Sequence, residues 1–157
     1  MEPSVAQAKV MVDELIRCGV TDVVLAPGSR SAPLALELAA AHTRFDIRVH
    51  VRLDERVAGF VALGIGKATG IPAAVVTTSG SAVANLLPAV IEADHSYVPM
   101  LLLTADRPPQ LRGIGANQTI AQTTIFGPHV RSVTDMATAT TSEGQVKYWR
   151  SEVSRAV

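Results

Sequence analysis

Residues 73–94 read AAVVTTSGSAVANLLPAVIEAD. Ala73 to Thr77 is almost wholly apolar, without the alternation of a half-wet strand, so it suits a strand covered on both faces. Thr78-Ser79-Gly80-Ser81 is a loop of small residues, and Ala82 to about Asp94 has helical spacing. Buried strand, short loop, helix is the unit from which parallel sheets are built.

The same unit recurs on either side. Ser4 is placed to cap a helix through Ala8, Val12, Leu15 and Ile16 that Gly19 stops. Asp22 to Ala26 is a β-branched strand, and an Ala/Leu-rich helix runs from Ala32 to about Ala41. Ile47 to Leu53 alternates as a second strand, after which Asp54 caps a helix ending by Gly70. Pro99 to Thr104 predicts a fourth strand. A weaker helix near Thr119 to Phe126, a strand near Val130 to Val133 and a last helix around Tyr148 and Trp149 follow. Right-handed crossovers then give an α/β fold: a doubly wound, mostly parallel sheet with helices on both faces.

The 157 residues suit a single domain, and 48% hydrophobic against 18% charged is ample for a core. Lysine plus arginine equals aspartate plus glutamate at 14 each, so no net charge draws the chain to nucleic acid or anionic lipid. One cysteine, Cys18, excludes a disulfide framework, makes a cytoplasmic setting the default and reads as a buried, inert thiol. No apolar run is long enough to span a bilayer, and the N-terminus has no signal-peptide order. The chain stops at Val157 inside an expected helix with no stop signal, which points to a piece of a longer chain.

Ligands of open parallel sheets bind beyond the carboxyl ends of the strands. Four loops fall there: Pro27-Gly28-Ser29-Arg30, Asp54-Glu55-Arg56, Thr78-Ser79-Gly80-Ser81 and Asp106-Arg107-Pro108-Pro109. Arg30 and Arg107 are guanidinium forks suited to carboxylate or phosphate, and Asn117 and Gln118 add amides. Taken alone, each loop has a plain reading as well. PGSR by itself favours a strand-to-helix turn with a surface arginine, and Glu55 by itself a solvated first-turn glutamate paired with Arg52 or Arg56. There is no GxxxxGK[ST] or GxGxxG spacing, and Gly64-Ile65-Gly66 serves helix packing. Thr78–Ser81 lacks the GxSxG spacing of a nucleophile turn. His42, His50, His95 and His129 form no HxH or HExxH pattern, so the spacing predicts no metal site.

In order, PGSRSAPL, LDER, TTSGSAVANLLPAVIEA, LLLTADRPPQL and GANQTI resemble the 2-succinyl-5-enolpyruvyl-6-hydroxy-3-cyclohexene-1-carboxylate synthases, thiamine-diphosphate enzymes of menaquinone biosynthesis. The resemblance runs from the first helix past Gln118 and thins from Arg131. It implies that residues 1–157 are a pyrimidine-binding domain, with the central and diphosphate-binding domains absent from this chain. It implies that Glu55 hydrogen-bonds N1′ of the aminopyrimidine and so activates the cofactor. Pro27, Gly28, Ser79, Gly80 and Asn85 would line the cofactor. Ser29, Arg30, Arg107, Asn117 and Gln118 would bind isochorismate. The implied reaction decarboxylates 2-oxoglutarate and adds the succinyl semialdehyde anion equivalent to isochorismate.

The family holds diphosphate through Mg²⁺ at a GDG–N type motif, and no GDG occurs here. Its active site lies between subunits, which implies a homodimer or homotetramer and an inactive chain in isolation. Two other readings stay open. One is an acetolactate-type carboligase, against which Arg30 and the ADRPP–GANQ pair argue. The other is a non-catalytic α/β module for small-anion binding or assembly.

Overall fold

The structure, a computed structural model, describes residues 1–44 and 46–157. Its centre is a sheet of four parallel strands in the order β2-β1-β3-β4: β1 (Asp22–Leu25), β2 (Arg48–Val51), β3 (Ala73–Thr77) and β4 (Met100–Thr104). Register runs Val24 opposite His50 and Val75, and Val75 opposite Leu102. The central strands β1 and β3 are buried at every position. β2 lies at an edge, which explains its alternation. β4 is equally apolar in sequence, yet only Leu101 is buried, because β4 is the other edge.

Helices cover both faces. On one, α1 (Pro3–Arg17), α2 (Ala32–Thr43) and α6 (Gln145–Ala156) set Val12, Leu15, Leu38 and Val153 against Val23, Leu25, Ala74 and Val76. On the other, α3 (Glu55–Thr69), α4 (Ser81–Ala84) and α5 (Leu87–His95) set Ala58, Ala62, Leu86 and Val90 against Val24, Ala73 and Val75. Alternate residues of β1 and β3 thus feed opposite cores, as a strand of period two requires.

The helix expected over 82–94 is two helices. Pro88 lacks an N–H and its ring would strike the carbonyl of residue 84, so α4 stops at Ala84 and α5 restarts at Leu87. Asp54 caps α3 as expected, its Oδ1 accepting from Val57 N at 3.0 Å, and Gly70 closes it in the left-handed region at φ 71°. Ser4 is not the cap of α1. Glu2 takes that position and Pro3 opens the helix, where its fixed φ fits and its missing N–H costs nothing. Cys18 lies just past α1 and is half-buried.

Residues 119–126 form turns rather than a helix, and 130–133 pair with no strand. Gln118 at φ 56° breaks any helix entering there, and Thr119, Ile120, Thr123, Thr124 and Ile125 are β-branched. The segment is held instead by Phe126, buried in the second core. The tail folds back as predicted: Trp149 is buried and Arg150 pairs with Asp13 (2.7 Å) and Glu14 of α1.

At the amino ends of β1 and β2, buried Asp22 accepts from Arg48 (2.6 and 2.9 Å), His50 (2.8 Å) and Thr21 (2.8 Å). The Arg48 guanidinium, with His50 and Thr21, outweighs burial and holds the Asp22 carboxyl far below the usual range.

Candidate functional site

The order β2-β1-β3-β4 puts a topological switch point between β1 and β3, because the chain leaves β1 toward β2 and returns across it to β3. All four chemistry-bearing loops open on the same sheet edge, in the spatial order Glu55, Arg30, Ser79, Arg107. Strands lie about 4.8 Å apart, so β2 and β4 are separated by about 14 Å.

Glu55 is the first residue of α3 and is half-buried. The capping duty falls on Asp54, and the helix N-terminus favours a carboxylate there. Among the described residues Glu55 forms no ion pair; Arg52 turns to the Val51 carbonyl at 2.7 Å. Nearby in sequence, Leu53, Val57 and Phe60 present apolar surface to solvent.

At the switch point the two central loops touch. A Cβ on Gly28 would lie 2.4 Å from Thr78 Cβ, so glycine is required for close packing of one backbone on the other loop. Its φ of −165° is ordinary extended backbone. Pro27, Ser29 and Arg30 are exposed beyond it, and Ser31 Oγ donates to the Gly28 carbonyl at 3.1 Å. Thr77 Oγ1 and Thr78 Oγ1 are buried without partners, which marks unused hydrogen-bonding capacity where ligands of such sheets bind.

Ser79 and Gly80 are buried, and both are tied to the loop after β4. Ser79 Oγ donates to the Gln118 carbonyl (2.9 Å), and Gln118 Nε2 donates back to the Ser79 carbonyl (3.0 Å). Gly80, at φ 80°, leaves no room for a Cβ, which would meet Gln118 Cγ at 2.9 Å. Asn85 is exposed and donates to the Ser81 carbonyl at 3.0 Å.

Sequence reasoning missed Gln122. It is buried, its Oε1 accepts from Gly80 N (3.1 Å) and its Nε2 donates to the Ala105 carbonyl (2.8 Å). One side chain thereby brackets the loops of β3 and β4. Its only sequence signal is an amide in a run of β-branched residues.

Arg107 donates through Nη2 to the Asn117 carbonyl (2.8 Å), while its Nε is buried without a partner. Asn117 is exposed. Arg112 braces the loop by pairing with Asp106 (3.0 Å) and Asp135 (2.6 Å), and its guanidinium lowers the Asp135 carboxyl below the usual range. Arg30 and Arg107 both line a groove of about 1060 Å³ along β4; Glu55, Ser79 and Gly80 do not. The two guanidinium forks thus line one groove, and the Glu55 carboxylate lies outside it.

Residues 6–125 match the family described as thiamine pyrophosphate enzyme, N-terminal TPP binding domain. The chain belongs to that family. Thiamine pyrophosphate is the same compound as thiamine diphosphate. Within the family the chain is similar, from end to end, to proteins named 2-succinyl-5-enolpyruvyl-6-hydroxy-3-cyclohexene-1-carboxylate synthase. It is 55% identical to that of Saccharopolyspora erythraea over 99% of this chain and 28% of that protein. Identity is also 55% to that of Thermobifida fusca, over the same shares. It is 52% to that of Rhodococcus opacus, over 100% and 29%. The chain therefore spans less than a third of the length of the curated relatives it matches. Among the described residues no helix is long and apolar enough to cross a membrane.

The TPP-binding family sets a requirement these residues meet in part. An aminopyrimidine ring needs an unpaired carboxylate, polar groups for its edge and an apolar wall. Glu55 is such a carboxylate and Leu53, two residues before it, is exposed and apolar; the partnerless Thr78 hydroxyl is buried against the Gly28 loop. A diphosphate needs cations or a phosphate loop; the strand-end loops contain no phosphate-loop spacing, and their cations include Arg30 and Arg107, which this chain sets in one groove.

Proposed function

We propose that residues 1–157 are the pyrimidine-binding domain of a thiamine-diphosphate-dependent 2-succinyl-5-enolpyruvyl-6-hydroxy-3-cyclohexene-1-carboxylate synthase. The observation that carries this reading is Glu55: a half-buried carboxylate without an ion pair among the described residues, at the start of α3 on the ligand-binding edge. When bound, the cofactor supplies the electron sink for decarboxylating 2-oxoglutarate and joining the remaining unit to isochorismate. Glu55 holds and returns one proton at N1′ of the pyrimidine. Aspartate would fall short of the ring, and glutamine cannot exchange the proton. Pro27, Gly28, Ser79, Gly80 and Asn85 shape the cofactor side. Ser29, Arg30, Arg107, Asn117 and Gln118 form the isochorismate side, and the partnerless Nε of Arg107 supports an anionic ligand there.

Diphosphate and Mg²⁺ are assigned in this reading to parts of the enzyme outside these residues. The enzyme is proposed to work in the cytoplasm as a homodimer or homotetramer, with exposed apolar residues such as Leu53 and Phe60 facing another subunit. Residues 1–157 alone are expected to bind the cofactor weakly and to turn nothing over. The test is Glu55→Gln in the full-length enzyme carrying this chain. Turnover of 2-oxoglutarate with isochorismate should fall by about 10²–10⁴, the range for a positioned acid–base group. Activity within a few-fold of the unchanged enzyme would refute the role.

A further inference from the structure

The fold assembles a three-residue cluster that no sequence spacing announces. α5 runs from the carboxyl end of β3 back toward the amino end of β4, so its last residues, Asp94 and His95, lie at the sheet edge opposite Glu55. There they meet His129 of the 3-10 turn Gly127–His129. His129 Nδ1 lies 3.0 Å from Asp94 Oδ2, and the His95 and His129 rings are 6.0 Å apart. One ligand atom from each of the three lies within 4.8 Å of the others.

We propose that Asp94, His95 and His129 form a binding site for a zinc-class divalent cation, distinct from any ion used with the cofactor. Two imidazoles and one carboxylate suit zinc, nickel or copper, whereas magnesium and calcium prefer all-oxygen shells. Donor atoms around tetrahedral zinc stand about 3.4 Å apart, as follows from bond lengths near 2.1 Å. The His129–Asp94 pair is already that close. The exposed His95 ring closes the remaining gap by side-chain rotation, and water completes the shell.

The frame is fixed on both sides. Phe126, buried in the second core, anchors the turn, and His129 N donates to the Phe126 carbonyl at 3.1 Å. The end of α5 is tied by Val98 N donating to the Ala93 carbonyl at 2.9 Å. The carboxyl end of a helix also favours a cation. In the absence of metal the His129–Asp94 hydrogen bond joins the same elements; the ion replaces that proton and adds His95. Its effect is to clip the turn before the irregular 130–144 segment onto α5.

The experiment is calorimetric titration of the chain with ZnCl₂ and separately with MgCl₂, together with cobalt absorption spectra. One zinc should bind, magnesium should not, and cobalt should give a low-coordinate spectrum without a thiolate charge-transfer band. His95→Ala, whose side chain is exposed and outside the core, should weaken zinc at least about tenfold, and His129→Ala likewise. Cys18→Ser should leave binding unchanged. Absence of zinc uptake overturns the proposal. So does uptake that survives His95→Ala with Asp94→Asn, or that is lost with Cys18→Ser.

Discussion

Replacing Gln122 by methionine keeps the volume and removes both polar ends. In the native fold Oε1 accepts from the buried Gly80 N–H at 3.1 Å and Nε2 donates to the Ala105 carbonyl at 2.8 Å. The residue is 7% exposed, so water does not readily replace it. Each backbone group left unpaired costs about 1–3 kcal/mol, while a volume-conserving apolar swap adds little. Loss of the bracket therefore costs about 2–6 kcal/mol, a large share of a domain's stability. Chemical denaturation followed by circular dichroism measures it. Native-state hydrogen exchange localises it: the Gly80 amide should lose protection more than amides in β1, because only the former loses its acceptor. A loss below about 0.5 kcal/mol, or unchanged protection at Gly80, would refute the bracket.

Asp22→Asn should destabilise the fold by about 2 kcal/mol at neutral pH, since hydrogen bonds to an ionised group are exchanged for neutral ones. The folded Asp22 carboxyl is depressed, chiefly by Arg48, so the unfolded chain takes up its proton first as pH falls. The stabilisation is whole above the unfolded value of about 4 and shrinks below it, so parent and variant denaturation midpoints should converge in acid. A gap independent of pH would show that the charge is not what matters. Gly28→Ala should cost about 1–3 kcal/mol by overpacking against Thr78, without backbone strain. Adding Thr78→Gly should recover part of that loss in a double-mutant cycle, and strictly additive effects would count against the contact.

The sheet was legible because its strands carry their environment in their composition. β1 and β3 read as continuous apolar runs and are the central pair, while β2 alternates and is an edge. β4 shows the limit: it reads like a central strand, but how much of it is covered depends on neighbours its own residues do not encode. The break at Pro88 was open to a local rule, since a proline forbids the turn before it. The region 119–133 was not. Gln122 is held there by partners 42 and 17 residues away, and Phe126 by a core assembled from distant helices. The same holds for Asp94 and His129, 35 residues apart in sequence and 3.0 Å apart in space. Motif spacing finds ligands on one element and is blind to those on two.

Strand order also constrains what the ligand-binding edge can hold. Glu55 follows β2 and Arg107 follows β4, with β1 and β3 between, so their loops start about 14 Å apart. One small dicarboxylate does not reach from one to the other. Arg30, after β1, is about 10 Å from β4 by the same spacing, a gap that two extended guanidinium side chains close, and both line the same groove. The Glu55 carboxylate therefore lies outside the groove that the two cations share, and the Gly28–Thr78 contact joins the β1 and β3 loops. A reaction between a cofactor ring and a separate anionic acceptor needs that separation, and simple anion binding does not. Under the anion-module alternative, a lone carboxylate near the cations would oppose the ligand and have no partner to explain it. Under the proposed synthase it is the one group that must stay unpaired until the pyrimidine arrives.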